Sequence, residues 1–163
     1  MEYCKKCIMP KTRPEQVFDH NGVCNACLSV ERKKVIDWKK RAEEFETILS
    51  KYRSDGSTYD CIIPVSGGKD SCYQALVMRD KYKMNPLCVS HVPCELTEVG
   101  RKNLDFLRDQ GFDLISVASN RKAYREMVRI GFFKLGDSCW PANIGIFTAP
   151  IRVAVNYKIP LVI

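Results

Sequence analysis

The stretch that most constrains this chain is a glycine turn held between a short apolar run and a helical one. Tyr59-Asp-Cys-Ile-Ile-Pro-Val65 reads as a buried strand. It leads without a linker into Ser66-Gly67-Gly68-Lys69-Asp70-Ser71, and a helical pattern follows over 72–83. A strand that ends on paired glycines and restarts as a helix belongs to an α/β layer architecture. The same geometry makes an anion site. Glycines let backbone N–H groups approach phosphate oxygens, and the start of the helix adds partial positive charge. Ser66 and Ser71 offer hydroxyl donors, and Lys69 can neutralise phosphate charge. The spacing is not G-x-x-x-x-G-K-[ST], so this is not a Walker loop.

The pattern continues beyond the turn. Residues 87–92 read as a second strand, 97–110 as a helix with Val99, Leu104 and Leu107 inward, and 112–117 as a third strand. Residues 121–135 form an amphipathic helix closed by Gly136. Residues 144–157 are helical, with Pro150 at a kink or a new first turn. A fourth strand starts over 159–163. Strands alternating with helices predict a doubly wound parallel sheet with right-handed crossovers. Ligands in such sheets gather at the carboxyl ends of the strands, where residues 66–71 and 91–95 fall.

Nine cysteines are many for such a chain, and their spacing sorts them. Cys4-x-x-Cys7 and Cys24-x-x-Cys27 form two pairs around turn signals at Pro10, Pro14 and Asn21-Gly22. Two such turns supply the four thiolates that Zn2+ takes in a tetrahedron, so residues 1–30 read as a Cys4 zinc ribbon that also suits a dimer contact. The alternatives are a redox dithiol or two chance pairs. Cys61, Cys72, Cys88, Cys94 and Cys139 are dispersed, which fits a reducing, cytoplasmic compartment better than a disulfide framework. Cys61, Cys72 and Cys88 read as packing residues.

From Glu31 to Tyr52 there is no Gly or Pro, and Val35, Trp38, Ala42, Phe45, Leu49 and Tyr52 recur at helical spacing. We expect one helix of roughly six turns. Its seam packs on the neighbouring domain or, less simply, on a second copy as a coiled coil. Ser54-Asp55-Gly56-Ser57 breaks the chain. The expected organisation is therefore a zinc module over 1–30, a connecting helix over 31–57 and an α/β domain over 58–163.

The 163 residues are 45% hydrophobic, enough to fill a core, and disorder is excluded. No apolar run approaches the roughly 18 residues of a membrane span, and the N-terminus lacks a signal-peptide pattern. The net charge of +7 is spread along the chain, +3 over residues 1–58 and +4 over the rest. It suits an anionic substrate such as a nucleotide and does not by itself indicate a nucleic-acid binder.

Ser66-Gly67-Gly68-Lys69-Asp70-Ser71 resembles the pyrophosphate loop (PP-loop) of the ATP pyrophosphatases, an adenine nucleotide α-hydrolase-like fold. A second resemblance covers nearly the whole chain. Tyr3-Cys4 to Cys7, Pro10-Lys-Thr-Arg-Pro14 and Gly22-Val-Cys-Asn-Ala-Cys27 are similar to the start of the N-acetyl sugar amidotransferases of surface-polysaccharide assembly. So are Thr97-Glu-Val-Gly-Arg-Lys-Asn-Leu104, Gly136-Asp137-Ser-Cys139-Trp140-Pro141 and Gly145-Ile-Phe-Thr-Ala-Pro150 followed by Arg152.

The resemblance implies an enzyme that uses ATP and Mg2+ to turn the acetamido group of a nucleotide-linked sugar into an acetamidino group, releasing AMP and pyrophosphate. Ammonia is implied to come from a separate glutaminase with a barrel-shaped partner. Lys69 and the Gly67 and Gly68 amides are candidates for the pyrophosphate, with Ser66 and Ser71 completing the loop. Asp70 is a candidate for Mg2+ through water or for positioning the loop. His91 is a structural or adenine-edge residue, and main-chain groups of residues 90–92 face adenine. Thr97, Glu98, Arg101 and Asn103 are candidate substrate contacts or a solvated helix face.

Two rivals stand beside this reading. The tRNA 2-thiolation enzymes share the plan of paired cysteines ahead of the same loop, but they need a core cysteine pair. Here Cys139-Trp-Pro-Ala142 offers one cysteine, which Cys94 would have to join. A zinc-ribbon binding module without catalysis would leave the loop without a role. The chain stops at Ile163 inside an expected strand, which implies a truncated or partial sequence. Ala142 and Asn143 stand where the resemblance leads us to expect a more polar pair.

Overall fold

The computed structural model describes residues 2–92 and 96–163, and it divides into two compact units, 1–45 and 46–163. Each is described by itself.

The first unit is built from turns. The chain reverses after Cys4, whose carbonyl accepts from the Ile8 amide while its own N–H donates to the Met9 carbonyl, both at 2.9 Å. A bridge between Tyr3 and Pro10 closes this knuckle, and one between Phe18 and Cys24 closes the second. Asp19 shapes the second turn, its carboxylate accepting from Asn21 N–H at 2.9 Å and Val23 N–H at 2.8 Å. Helix α1, Asn25–Lys34, starts directly on that turn, with the Cys24 side chain accepting from Cys27 N–H.

Helix α2 is Trp38–Leu49, and here the expectation of one continuous helix from residue 31 fails. The chain leaves helical bonding at 35–37 because Asp37 caps a fresh start. Its carboxylate accepts from Lys40 N–H at 2.9 Å, and its carbonyl accepts from Arg41 N–H at 3.0 Å. The β-branched pair Val35-Ile36 ahead of it has little helical preference to resist this. The apolar seam is therefore split, with Val35 lying in the break.

The second unit is mixed α/β. Strands β1 (Cys61–Pro64), β2 (Pro86–Val92) and β3 (Leu114–Ala118) form a parallel sheet in the order β1-β2-β3. Helix α3 (Lys69–Asp80) joins β1 to β2, and α4 (Glu98–Asp109) joins β2 to β3. Two further helices follow, α5 (Arg121–Leu135) and α6 (Trp140–Tyr157). Beyond them the chain reaches the free side of β1. Ile62 donates to the Leu161 carbonyl at 2.8 Å and accepts from Ile163 N–H at 3.0 Å, a parallel bridge with Val162. Among the described residues the sheet has three strands, and of the expected fourth strand over 159–163 only this isolated bridge forms.

Sheet register decides which side chains meet the helices. Ile62 pairs with Leu87, and Val89 with Ile115, so these residues share one face. They pack with Val153 and Ala154 of α6 and with Ile159. The alternate positions Cys61, Ile63 and Cys88 are equally buried. Helix α3 packs against β1 and β2 and buries Cys72, Ala75 and Met78. Asp60, also buried, ties the entry to β1: its carboxylate accepts from the N–H groups of Ser54 and Asn85, both at 2.7 Å. Helix α6 begins four residues ahead of the expected start, with Pro141 in its first turn, and Pro150 lies inside it without ending it.

Candidate functional site

Two constellations carry chemistry, one in each unit. In the first, Cys4, Cys7, Cys24 and Cys27 bring their sulfur atoms within 4.8 Å of one another. Cys4 and Cys27 Sγ are 4.0 Å apart, and Cys7 and Cys24 Sγ are 3.7 Å apart. A tetrahedron with metal–sulfur bonds of about 2.3 Å has sulfur–sulfur edges of about 3.8 Å. The four thiolates therefore fit a metal ion such as zinc. Burial alone would raise the Cys4 thiol, but hydrogen bonds from the backbone N–H groups of Cys24, Cys7 and Lys6 bring it down to about 6. The Cys27 thiol is pushed up, first by its hydrogen bond with Cys7 and then by burial. One thiolate is thus favoured even without a cation, and a metal would ionise the rest.

The second constellation is the turn between β1 and α3. Gly67 has φ +77°, and a Cβ built there would lie 2.3 Å from the backbone oxygen of Gly100. No other residue fits without moving α4. The Gly67 carbonyl accepts from Asn103 Nδ2 at 2.7 Å, so α4 both presses on the turn and ties it. Inside the turn, Ser71 Oγ accepts from Ser66 N–H at 3.3 Å and donates to the Gly68 carbonyl at 3.1 Å. Ser66 Oγ accepts from Gly68 N–H at 3.3 Å. Among the described residues no side chain caps α3, which leaves the N–H groups of its first turn without a capping acceptor beside the turn. Lys69 Nζ pairs with Asp70 Oδ1 at 2.6 Å, both side chains almost fully exposed.

His91, one residue before the end of β2, lies on the face that α6 covers. Its ring lies so close to Gly145 that a Cβ there would come within 2.2 Å of Cε1. Nε2 is 3.3 Å from Ser119 Oγ, the ring stacks on Tyr124 at 6.4 Å, and Nδ1 is buried without a hydrogen-bond partner among the described residues. A small cavity of about 160 Å³ lies between His91 and Ser66, with Val65, Val89, Ala142 and Ile146 on its walls. The structure thus brings Ser66, His91 and Ala142 together.

The remaining candidates separate. Thr97 caps α4, its hydroxyl accepting from Gly100 N–H at 3.1 Å. Glu98 pairs with Lys102 at 2.8 Å on an exposed surface. Arg101 faces a cleft between α4 and α5. Asn103 holds the loop itself. Cys139 is exposed immediately ahead of α6, and Asn143 is exposed in its first turn. Cys94 lies outside the described residues, as does residue 95, so the pairing of Cys94 with Cys139 is not addressed. Sequence reasoning missed the parts played by Gly100, Asn103 and Gly145. The available signal was glycine inside helical patterns, which usually marks a close approach.

No protein-family model matches the chain. Over 87 residues it is 34% identical to an uncharacterized protein of Methanocaldococcus jannaschii, an alignment that takes in 53% of this chain and 31% of that protein. The chain thus spans less than a third of the length of this curated relative. Among the described residues, no helix is long and apolar enough to cross a membrane.

Proposed function

We propose that the chain is the nucleotide-binding part of a cytoplasmic ATP-dependent amidotransferase acting on a nucleotide-linked acetamido sugar. The observation that carries this is the turn at 66–71. It is fixed in shape by α4, opens uncapped N–H groups at the start of α3, and lies at the carboxyl end of β1. Residues 161–163 pair on one side of β1 and β2 on the other, so the chain order reverses there. In a doubly wound sheet such a switch point is where ligands bind. On this reading the fold is that of the PP-loop pyrophosphatases, and the Cys4 site holds structural Zn2+.

An amide oxygen is a poor leaving group, and ATP bound at the turn with Mg2+ supplies the adenylyl group that makes it a good one. The chain's own residues do the positioning. The Gly67 and Gly68 amides and the Lys69 ammonium hold the β,γ-phosphates, with Ser66 and Ser71 as hydroxyl donors. Asp70 pairs with Lys69 in the free protein and would be the residue to hold Mg2+ through water or to position the loop. His91 borders the cavity beside Ser66, where adenine would sit with the main chain of residues 90–92 facing it. Ammonia is supplied by a separate glutaminase through a barrel-type partner.

The test incubates the protein with Mg-ATP, ammonium and a panel of nucleotide-linked acetamido sugars. AMP formed together with a sugar about one mass unit lighter, oxygen having been replaced by NH, supports the reading. The Lys69→Ala variant should lower that rate about a hundredfold or more. AMP formed only with tRNA and a sulfur donor would transfer the chain to the thiolation enzymes.

A further inference from the structure

A cleft of about 800 Å³ opens between α4 and α5 over the edge strand β3, and nothing above uses it. Arg101 and Arg108 line it from α4, and Arg121, Lys122 and Arg125 line it from α5. Asp105 is the one carboxylate on its described walls, and it pairs with Arg108 at 2.7 Å. Among the described residues Arg101, Arg121, Lys122 and Arg125 have no ion pair. Four unpaired cations around one concavity repel one another, an arrangement that a polyanion relieves.

The floor is different in character. Leu104, Val128 and the buried ring of Tyr124 make an apolar surface below the charged rim. A charged rim over an apolar floor suits a small molecule with an anionic part and a flat or apolar part. The volume lies in the range of roughly 300–1,000 Å³ typical of small-molecule sites, too small for a folded partner. The cleft also takes in Val92 and Ser119, at the carboxyl ends of β2 and β3. It therefore opens toward the same end of the sheet as the turn at 66–71. Tyr124 stacks on His91, which also lines the cavity next to Ser66.

We propose that this cleft binds a diphosphate group, that of a nucleoside diphosphate carrier, with Arg101, Arg121, Lys122 and Arg125 on the phosphates and the nucleoside on the apolar floor. The inference deepens the functional reading and rests on it for the nature of the carrier, but not for the binding itself.

The experiment titrates the full chain calorimetrically with uridine diphosphate and with inorganic pyrophosphate, and separately with ATP. Four proteins are compared: wild type, the R121A/R125A double variant, Lys69→Ala, and Arg129→Ala. Arg129 is a control on the same helix, outside the cleft and paired with Glu126. These side chains are exposed, and unchanged melting midpoints verify folding.

The proposal expects uridine diphosphate to bind about tenfold or more weaker to the double variant, and unchanged to Lys69→Ala and Arg129→Ala. In Lys69→Ala, where the turn no longer holds phosphates, uridine diphosphate should bind more tightly than pyrophosphate, and equal binding of the two would overturn the placement of the nucleoside on the floor. No diphosphate binding by wild type overturns the proposal. So does equal loss in Arg129→Ala, or a loss in Lys69→Ala that matches the double variant. Retention of an RNA hairpin in place of either diphosphate also overturns it. ATP binding that depends on Lys69 but not on the cleft keeps the functional reading alive whatever the cleft does. Its absence, with diphosphate still held by the cleft, sinks that reading alone.

Discussion

Among residues 2–45 only Cys4 and Cys24 are buried, whereas residues 46–163 bury a continuous aliphatic set around Ile62, Leu87 and Val89. The first unit is too short to remove much apolar surface from water, and its internal contacts are sulfur atoms, turn hydrogen bonds and exposed ion pairs such as Lys11–Glu2. The second has a sheet with helices against both faces, and its stability comes from area and packing. The difference teaches where each unit is vulnerable. One should depend on a metal, and the other on the shape of its core.

The largest effect expected is from removing the metal that the four cysteines are proposed to hold. Structural zinc sites contribute about 10 kcal/mol or more to folding. Chelation or Cys4→Ser should therefore abolish the dispersed amide signals of residues 2–45 in a two-dimensional NMR spectrum while leaving those of 60–92 in place. Loss of both sets would break the comparison. Next comes Ile62→Ala in the opposite unit. Deleting a buried aliphatic side chain in contact with Val153 and Ile159 should cost about 2–5 kcal/mol by denaturant unfolding, with one zinc still bound per chain.

Gly67→Ala should be smaller in stability and large in function. Its Cβ would meet Gly100 O in a left-handed backbone, at a cost of about 1–3 kcal/mol. ATP binding should fall with it while zinc content stays the same. A variant that binds ATP normally would mean the turn is not the nucleotide site.

The smallest effect is in thiol chemistry. Burial pushes the thiols of Cys61 and Cys88 up from 9.0 to about 12, so both stay neutral in the folded state. Their contribution to stability is complete below pH 9 and declines as pH rises from there toward 12, because the unfolded thiols ionise first. Alkylation at neutral pH, followed by mass spectrometry, should label exposed Cys139 rapidly and Cys61 and Cys88 only on unfolding. Early labelling of Cys88 would show that the sheet opens more easily than its packing implies.

What could be read from the sequence was whatever lies close together along it. The strand, turn and helix over 59–80 are contiguous, and the cysteine pairs announce themselves by spacing, so both constellations were legible. The break at 35–37 was not, because apolar periodicity runs through it and a single Asp37 cap overrides the pattern. Nor was the brace on the loop, since Asn103 and Gly67 meet only after β2 and α4 fold back. Nor was the close approach of the His91 ring to Gly145, which joins β2 to α6. Such contacts join residues far apart in sequence, and periodicity is blind to them.

The central claim is that the turn activates an amide oxygen by adenylation, and an isotope follows that oxygen directly. A nucleotide-linked sugar carrying 18O in its acetamido carbonyl is converted with ammonium and Mg-ATP, and the products are separated and weighed. The account predicts AMP heavier by about two mass units, because the labelled oxygen leaves on the phosphorus it attacked. The label appearing in inorganic phosphate, or remaining entirely in the sugar while AMP forms, would contradict it.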